Sequence, residues 1–189
     1  MKSLAITIAS MLSVVNLFAG VYNVDLDHSS VAFKAKHMMI SNVRGQFKKF
    51  NGTFEYDEKT KILKGLNGVV DVNSIDTDNK KRDGHLKSAD FFDAVNYSEM
   101  KLDLIKVEDD VAYTKLTIRG ITKEVKMELE TSGVVVKDPW GNTRTGLSLS
   151  TSINRMDFGL KWNDLMETGS MMVGTKIKIS IELEGILAK

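Results

Sequence analysis

Strand periodicity predicts an all-β domain, an antiparallel barrel of about eight strands with a short helical insert. Three observations predict it. Apolar and polar residues alternate with period two through most of the chain after an apolar N-terminal run. Turn-forming clusters separate the alternating runs. One stretch, residues 78–95, breaks the alternation and carries several helix formers.

The N-terminus comes first. Met1-Lys2 precedes an apolar run from Leu4 to Val15, and Leu17-Phe18-Ala19-Gly20 closes it with small residues. A basic start, an apolar core and a small-residue end read as a secretory signal peptide over residues 1–20, cut before Gly20 or Val21. An uncut N-terminal anchor is the alternative. No later stretch approaches the roughly 20 apolar residues of a membrane span, so no integral membrane helix is expected.

Residues 21–189 then read as one domain. Val31, Phe33, Ala35 and His37 share a face, opposite Ser30, Lys34 and Lys36. Val43, Gly45 and Phe47 continue the pattern, and Phe50, Gly52, Phe54 and Tyr56 take it up again. The change of phase at Lys48-Lys49 predicts a bulge or bend. Further stripes run through Leu66-Gly68-Val70-Val72, Met100-Leu102-Leu104, Leu116-Ile118, Val125-Met127-Leu129 and Leu147-Leu149-Thr151-Ile153. The last is the clearest: Ile177, Ile179, Ile181 and Leu183 alternate with Lys178, Ser180 and Glu182.

Turns are expected at Asp57–Thr60, Glu108–Asp110, Arg119-Gly120 and Asp138–Asn142. About eight strands of this kind close into a barrel with room for side chains or one small ligand; a two-sheet sandwich fits the same periodicity. In the insert, Thr77 or Asp78 is placed to cap a short helix and Ser88 a second, with Phe91 and Phe92 as anchors. An insert of that length reads as a plug or lid.

Composition narrows the chemistry. There is no Cys, so neither disulfide nor thiol chemistry is available. Lys and Arg total 26 against 25 acidic residues; without Lys2 the balance is formally zero, and no nucleic-acid partner is expected. His28, His37 and His85 are the only histidines and lack metal-site spacing, so no metal is expected; His28 reads as a turn residue. No Gly-x-Ser-x-Gly elbow occurs. Arg82, Asp83 and His85 form a charged cluster that reads either as acid–base machinery or as a network fixing the insert. Ten Met and eight Phe residues read as core or as a cavity wall. Small inward residues (Gly45, Gly52, Gly68) leave volume, and with no catalytic constellation the combination favours a ligand cavity.

Ordered blocks along the chain carry a resemblance. They are Asp27–Phe33, His37–Phe47, Ser74–Thr77, Arg82–Leu86, Ser88–Asp93, Leu116–Lys123, Asp138–Gly141 and Ile153–Leu160. Together they resemble the YceI-like family from about Val21 to Leu187. Two departures are Tyr97-Ser98, where the family often has Tyr-Pro, and Arg119-Gly120, where it often has His-Gly. The resemblance implies an extended lipocalin-like barrel, a periplasmic location, and a bound polyisoprenoid, quinone precursor or similar long-chain amphiphile as the only cofactor-like group. It implies wall positions at Phe33, His37, Met39, Phe47, Phe91, Phe92, Phe158, Trp162 and Met166. Asn154, Arg155 and Asp157, with Arg82, Asp83 and His85, are placed to fix a head group or the lid.

The leading expectation is therefore a non-catalytic lipid carrier, monomer or homodimer. An enzyme acting on such a lipid through Arg82, Asp83 and His85 is the alternative. A third reading is a structural protein whose barrel is filled by its own side chains, which a cavity below roughly 300 Å³ would favour.

Overall fold

A computed structural model describes residues 19–164 and 172–189. Residues 1–18 of the expected leader, Met166 and Met171 fall outside the described residues, while Gly20 opens the first strand. Twelve strands form one antiparallel sheet: β1 (Gly20–Val24), β2 (Ser30–His37), β3 (Ser41–Phe47), β4 (Phe50–Asp57), β5 (Ile62–Asp71), β6 (Ile75–Asp76), β7 (Glu99–Glu108), β8 (Val111–Ile118), β9 (Ile121–Thr131), β10 (Val136–Lys137), β11 (Thr143–Asn154) and β12 (Val173–Leu187). One helix, α1 (Lys80–Lys87), and 3-10 turns at Val72–Ser74 and Arg155–Phe158 complete the fold.

Eight of these strands close a ring in the order β11-β9-β8-β7-β5-β4-β1-β12, with β12 returning to β11. The barrel is real, and the sandwich alternative is excluded. β12 is long enough to serve two neighbours on one edge. Its C-terminal end pairs β1, while its N-terminal half pairs β2, which carries β3 and β6 outward as an extension. β1 closes the ring by bridging β4 and β12. No stripe in the sequence marks that strand, because it follows the leader and is only five residues long.

The phase change at Lys48-Lys49 is a bend, as one of the two expectations had it, and it lies between strands rather than being a bulge within one. The chain turns a corner there: β3 and β4 do not pair with each other, and the Lys48 and Lys49 amides are held by Ser74. True register shifts lie at Glu55/Tyr56, Leu104/Lys106 and Val173/Ile177.

The helix is also capped differently. Asn79, not Thr77 or Asp78, accepts from the Arg82 amide at 3.0 Å. Ser88 ends α1 by donating to the His85 carbonyl, and no second helix follows; residues 89–97 run as turns.

At one end of the barrel Tyr22, Phe54 and Tyr56 are essentially fully buried, with Tyr22 and Phe54 rings stacked at 5.3 Å. Each such side chain contributes roughly 1.5–3 kcal/mol by leaving water.

Candidate functional site: an apolar cavity with an aromatic end

The barrel interior holds a cavity of about 170 Å³. Its walls are the inward stripes of the strands, including Leu66, Val70, Leu102, Leu116, Ile177 and Ile179. These aliphatic residues sit on the stripes visible in the sequence, but the resemblance singled out aromatics. Period-two alternation was the signal that could have found them.

Glycine contributes unevenly. Gly68 lines the cavity, and a Cβ there would meet nothing nearer than the Asn51 carbonyl oxygen at 3.8 Å. Gly45 does not leave empty volume as expected, because the Phe33 ring occupies its place, 2.4 Å from where a Cβ would stand.

Rings gather at the insert end. Phe33 packs on Phe47 at 5.7 Å, and Phe47 meets Phe92 edge-on at 6.0 Å. Phe91 lies 5.1 Å from Trp162, and the His85 ring stands edge-on to both. Phe33, Phe47, Phe91, Phe92 and Phe158 line the cavity, with Leu86 of α1. Trp162 and His85 stand behind Phe91 rather than on the wall. The insert thus closes the cavity with Leu86, Phe91 and Phe92.

Arg82, Asp83 and His85 do not converge on the cavity. Asp83 accepts from the Thr77 amide at 3.0 Å and its hydroxyl at 2.6 Å, while Arg82 donates to the Thr77 hydroxyl and carbonyl. His85 bonds Asp90 at 3.0 Å. These contacts pin α1 to β6 and fold the insert on itself.

A further clamp is Arg119, which donates to the Gly159 carbonyl at 2.9 Å and the Ala89 carbonyl at 3.0 Å. It sits with Gly120 in a hairpin turn, both at positive φ. The expected turn at Arg119-Gly120 is present, and in the fold Arg119 also ties the insert to β8–β9.

Arg155 is buried and lines the cavity at the 3-10 turn. Its guanidinium donates to the carbonyls of Leu160, Val173 and Gly174, and burial lowers its pKa. Asn154 caps that turn by accepting from the Met156 amide, and Asp157 is exposed. His37 is half-buried at the end of β2, and Met39 is 61% exposed on the β2–β3 turn. Neither lines the cavity, and Met166 lies outside the described residues.

One cluster has the donor types of a metal site: Asp25, His28 and Glu184. A cation already sits there. Arg144 bonds Asp25 at 2.5 Å, Glu184 at 2.6 Å and Asp138 at 2.7 Å. His28 bonds Asp25 at 3.0 Å, rather than its neighbour Asp27.

The family model of the YceI-like domain matches residues 22–185. A UPF0312 protein of Staphylococcus epidermidis is 34% identical over 163 residues, covering 86% of this chain and 95% of that protein. The chain belongs to the YceI-like family.

Solved structures agree with that membership. The Campylobacter jejuni YCEI protein is 29% identical and superposes with a TM-score of 0.68, covering 82% of this chain and 90% of that one. A polyisoprenoid binding domain from Saccharophagus degradans, implicated in plant cell wall breakdown, shares the fold at 16% identity and a TM-score of 0.66, covering 90% and 99%. In this YceI-like chain several family blocks do structural work at barrel ends. Ser29 bonds the Glu184 backbone, Ser74 holds the β3–β4 corner, and Thr77–Asp83 anchors the helix.

Proposed function

We propose that this YceI-like chain is an exported periplasmic carrier that holds the tail of a long-chain isoprenoid-type lipid in its barrel, without chemistry of its own. The observation that carries it is the apolar cavity in the barrel, walled by aliphatic stripes and closed by Phe33, Phe47, Phe91 and Phe92. Among its described lining residues the only charged side chains are Lys101, which pairs with the exposed Glu99 at 3.4 Å, and Arg155, which is bonded to backbone carbonyls. A buried methylene contributes roughly 0.8 kcal/mol, so a chain ligand needs little polar help. The polyisoprenoid-binding description of the Saccharophagus domain supports the same ligand class.

A second reading is favoured by one number. About 170 Å³ lies below the usual ligand-pocket range of roughly 300–1,000 Å³, which favours a barrel filled by its own side chains. On the carrier reading a stretch of chain fills the cavity, and a longer one enters by turning aside the half-buried Phe33 and Phe92.

Extraction and native mass spectrometry of purified protein separate the two. The carrier reading expects a co-purifying long-chain compound. A Gly68→Leu variant, whose side chain enters the cavity without a backbone clash, is expected to lose it while keeping the wild-type circular dichroism spectrum. Protein that is empty from several expression hosts would establish the second reading.

A further inference from the structure

The near-zero net charge hides an uneven surface. Outward residues of the β12–β2–β3 extension are cationic, and register places them side by side. Lys178 stands directly opposite Lys34, and Lys34 directly opposite Arg44. Lys36 and Lys176 flank this row. None of the five makes an ion pair among the described residues. Like charges directly opposite one another destabilise a sheet.

The opposite wall shows the ordinary solution. There Asp103 faces Lys115, and Lys115 faces Glu124, alternating in sign across β7, β8 and β9. β12 is itself polarised, with Lys176 and Lys178 in its N-terminal half and Glu182 and Glu184 in its C-terminal half.

The cationic face ends in an apolar tip. The β2–β3 turn is Met38-Met39-Ile40, and Met39 and Ile40 are 61% and 82% exposed. Met38 and Met39 both have positive φ, at 51° and 61°, a conformation hairpin turns normally give to Gly, Asn or Asp. Backbone conformation therefore does not favour methionine at these two positions. His37 pairs with Val173, a cavity-lining residue, so the tip lies at the cavity end of the barrel.

We propose that this face docks the protein on an anionic bilayer, with Met39 and Ile40 entering the headgroup boundary and the Lys34–Arg44–Lys178 row lying on lipid phosphates. The inference does not rest on the identity, or the existence, of a cargo. Charge complementarity supplies attraction to an anionic surface, and the apolar tip distinguishes a bilayer from nucleic acid, which offers such side chains no apolar phase.

The test is co-sedimentation with phosphatidylcholine vesicles with and without about one-third phosphatidylglycerol, using the full mature chain. Wild type is expected on the anionic vesicles only, and to be released by salt. A Lys34→Gln/Arg44→Gln/Lys178→Gln variant is expected to bind about 100-fold more weakly, from about one surface cation's attraction lost at each site. Met39→Ser/Ile40→Ser keeps every charge and is expected to bind about tenfold more weakly. Wild type that ignores anionic vesicles, binds neutral ones equally, or resists salt overturns the proposal. So does a triple variant that binds as wild type, or a duplex DNA that competes fully while the tip variant is unaffected.

Discussion

Tyr56 carries the one buried side-chain polar atom that lacks a hydrogen-bond partner among the described residues, its hydroxyl. Its neighbour in the packed end, Tyr22, solves the same problem by donating to Glu58 at 2.9 Å; burial and then that bond raise the Tyr22 pKa. An unsatisfied buried hydroxyl costs about 1–3 kcal/mol. Tyr56→Phe is therefore expected to raise stability by about 1 kcal/mol in a thermal melt. At this scale the sequence was partly legible. Tyr56 and Phe33 were correctly placed on inward stripes, but whether an inward ring fills its own glycine gap or borders a void depends on a residue one strand away. Phe33 over Gly45 is the example.

At the scale of elements, the junction between β11 and β12 depends on Arg155. Its guanidinium joins the 3-10 turn to the start of β12 through the Val173 and Gly174 carbonyls. Arg155→Met keeps the apolar stem but strands these acceptors. It is expected to cost about 3 kcal/mol. Thermal unfolding would then begin roughly 10 °C lower. The insert shows what one-dimensional reading misses. A helix near residue 80 and anchors at Phe91 and Phe92 were legible from composition. The missing second helix was not, because Ser88 spends its hydroxyl on the end of α1. Register decided the rest: alternation fixes which face a residue takes, but only pairing shows that Lys34 meets Lys178 and Arg44.

Across the whole molecule, Arg144 joins parts distant in sequence. Asp25 follows β1, Asp138 belongs to the β10–β11 turn and Glu184 to β12. The Arg144 bond chiefly holds Asp25 down to about 2. For Asp138 burial pulls upward but is outweighed by Arg144 and Asn142, leaving it at about 2 as well. Both lie below the unfolded carboxylate value of about 3.9, so their stabilisation is complete above about pH 4 and lost as pH falls through 2. His28, raised mainly by its bond to Asp25, acts in the opposite sense: its contribution is present in acid and fades as pH rises through its raised pKa. The melting temperature is expected to drop between pH 4 and 2, and Asp25→Asn to flatten that drop.

By itself the sequence determined the all-β class, the inward stripes, most turns, the helical insert and the family, because each is written in local period or in ordered short blocks. Only the tertiary structure decided how the ring closes, where its cavity lies and where the charges gather. β1 closes the barrel by pairing with the C-terminal strand, and the extension brings Lys34, Arg44 and Lys178 together from three strands. Such features depend on which strand lies beside which, and a balanced composition carries no trace of them.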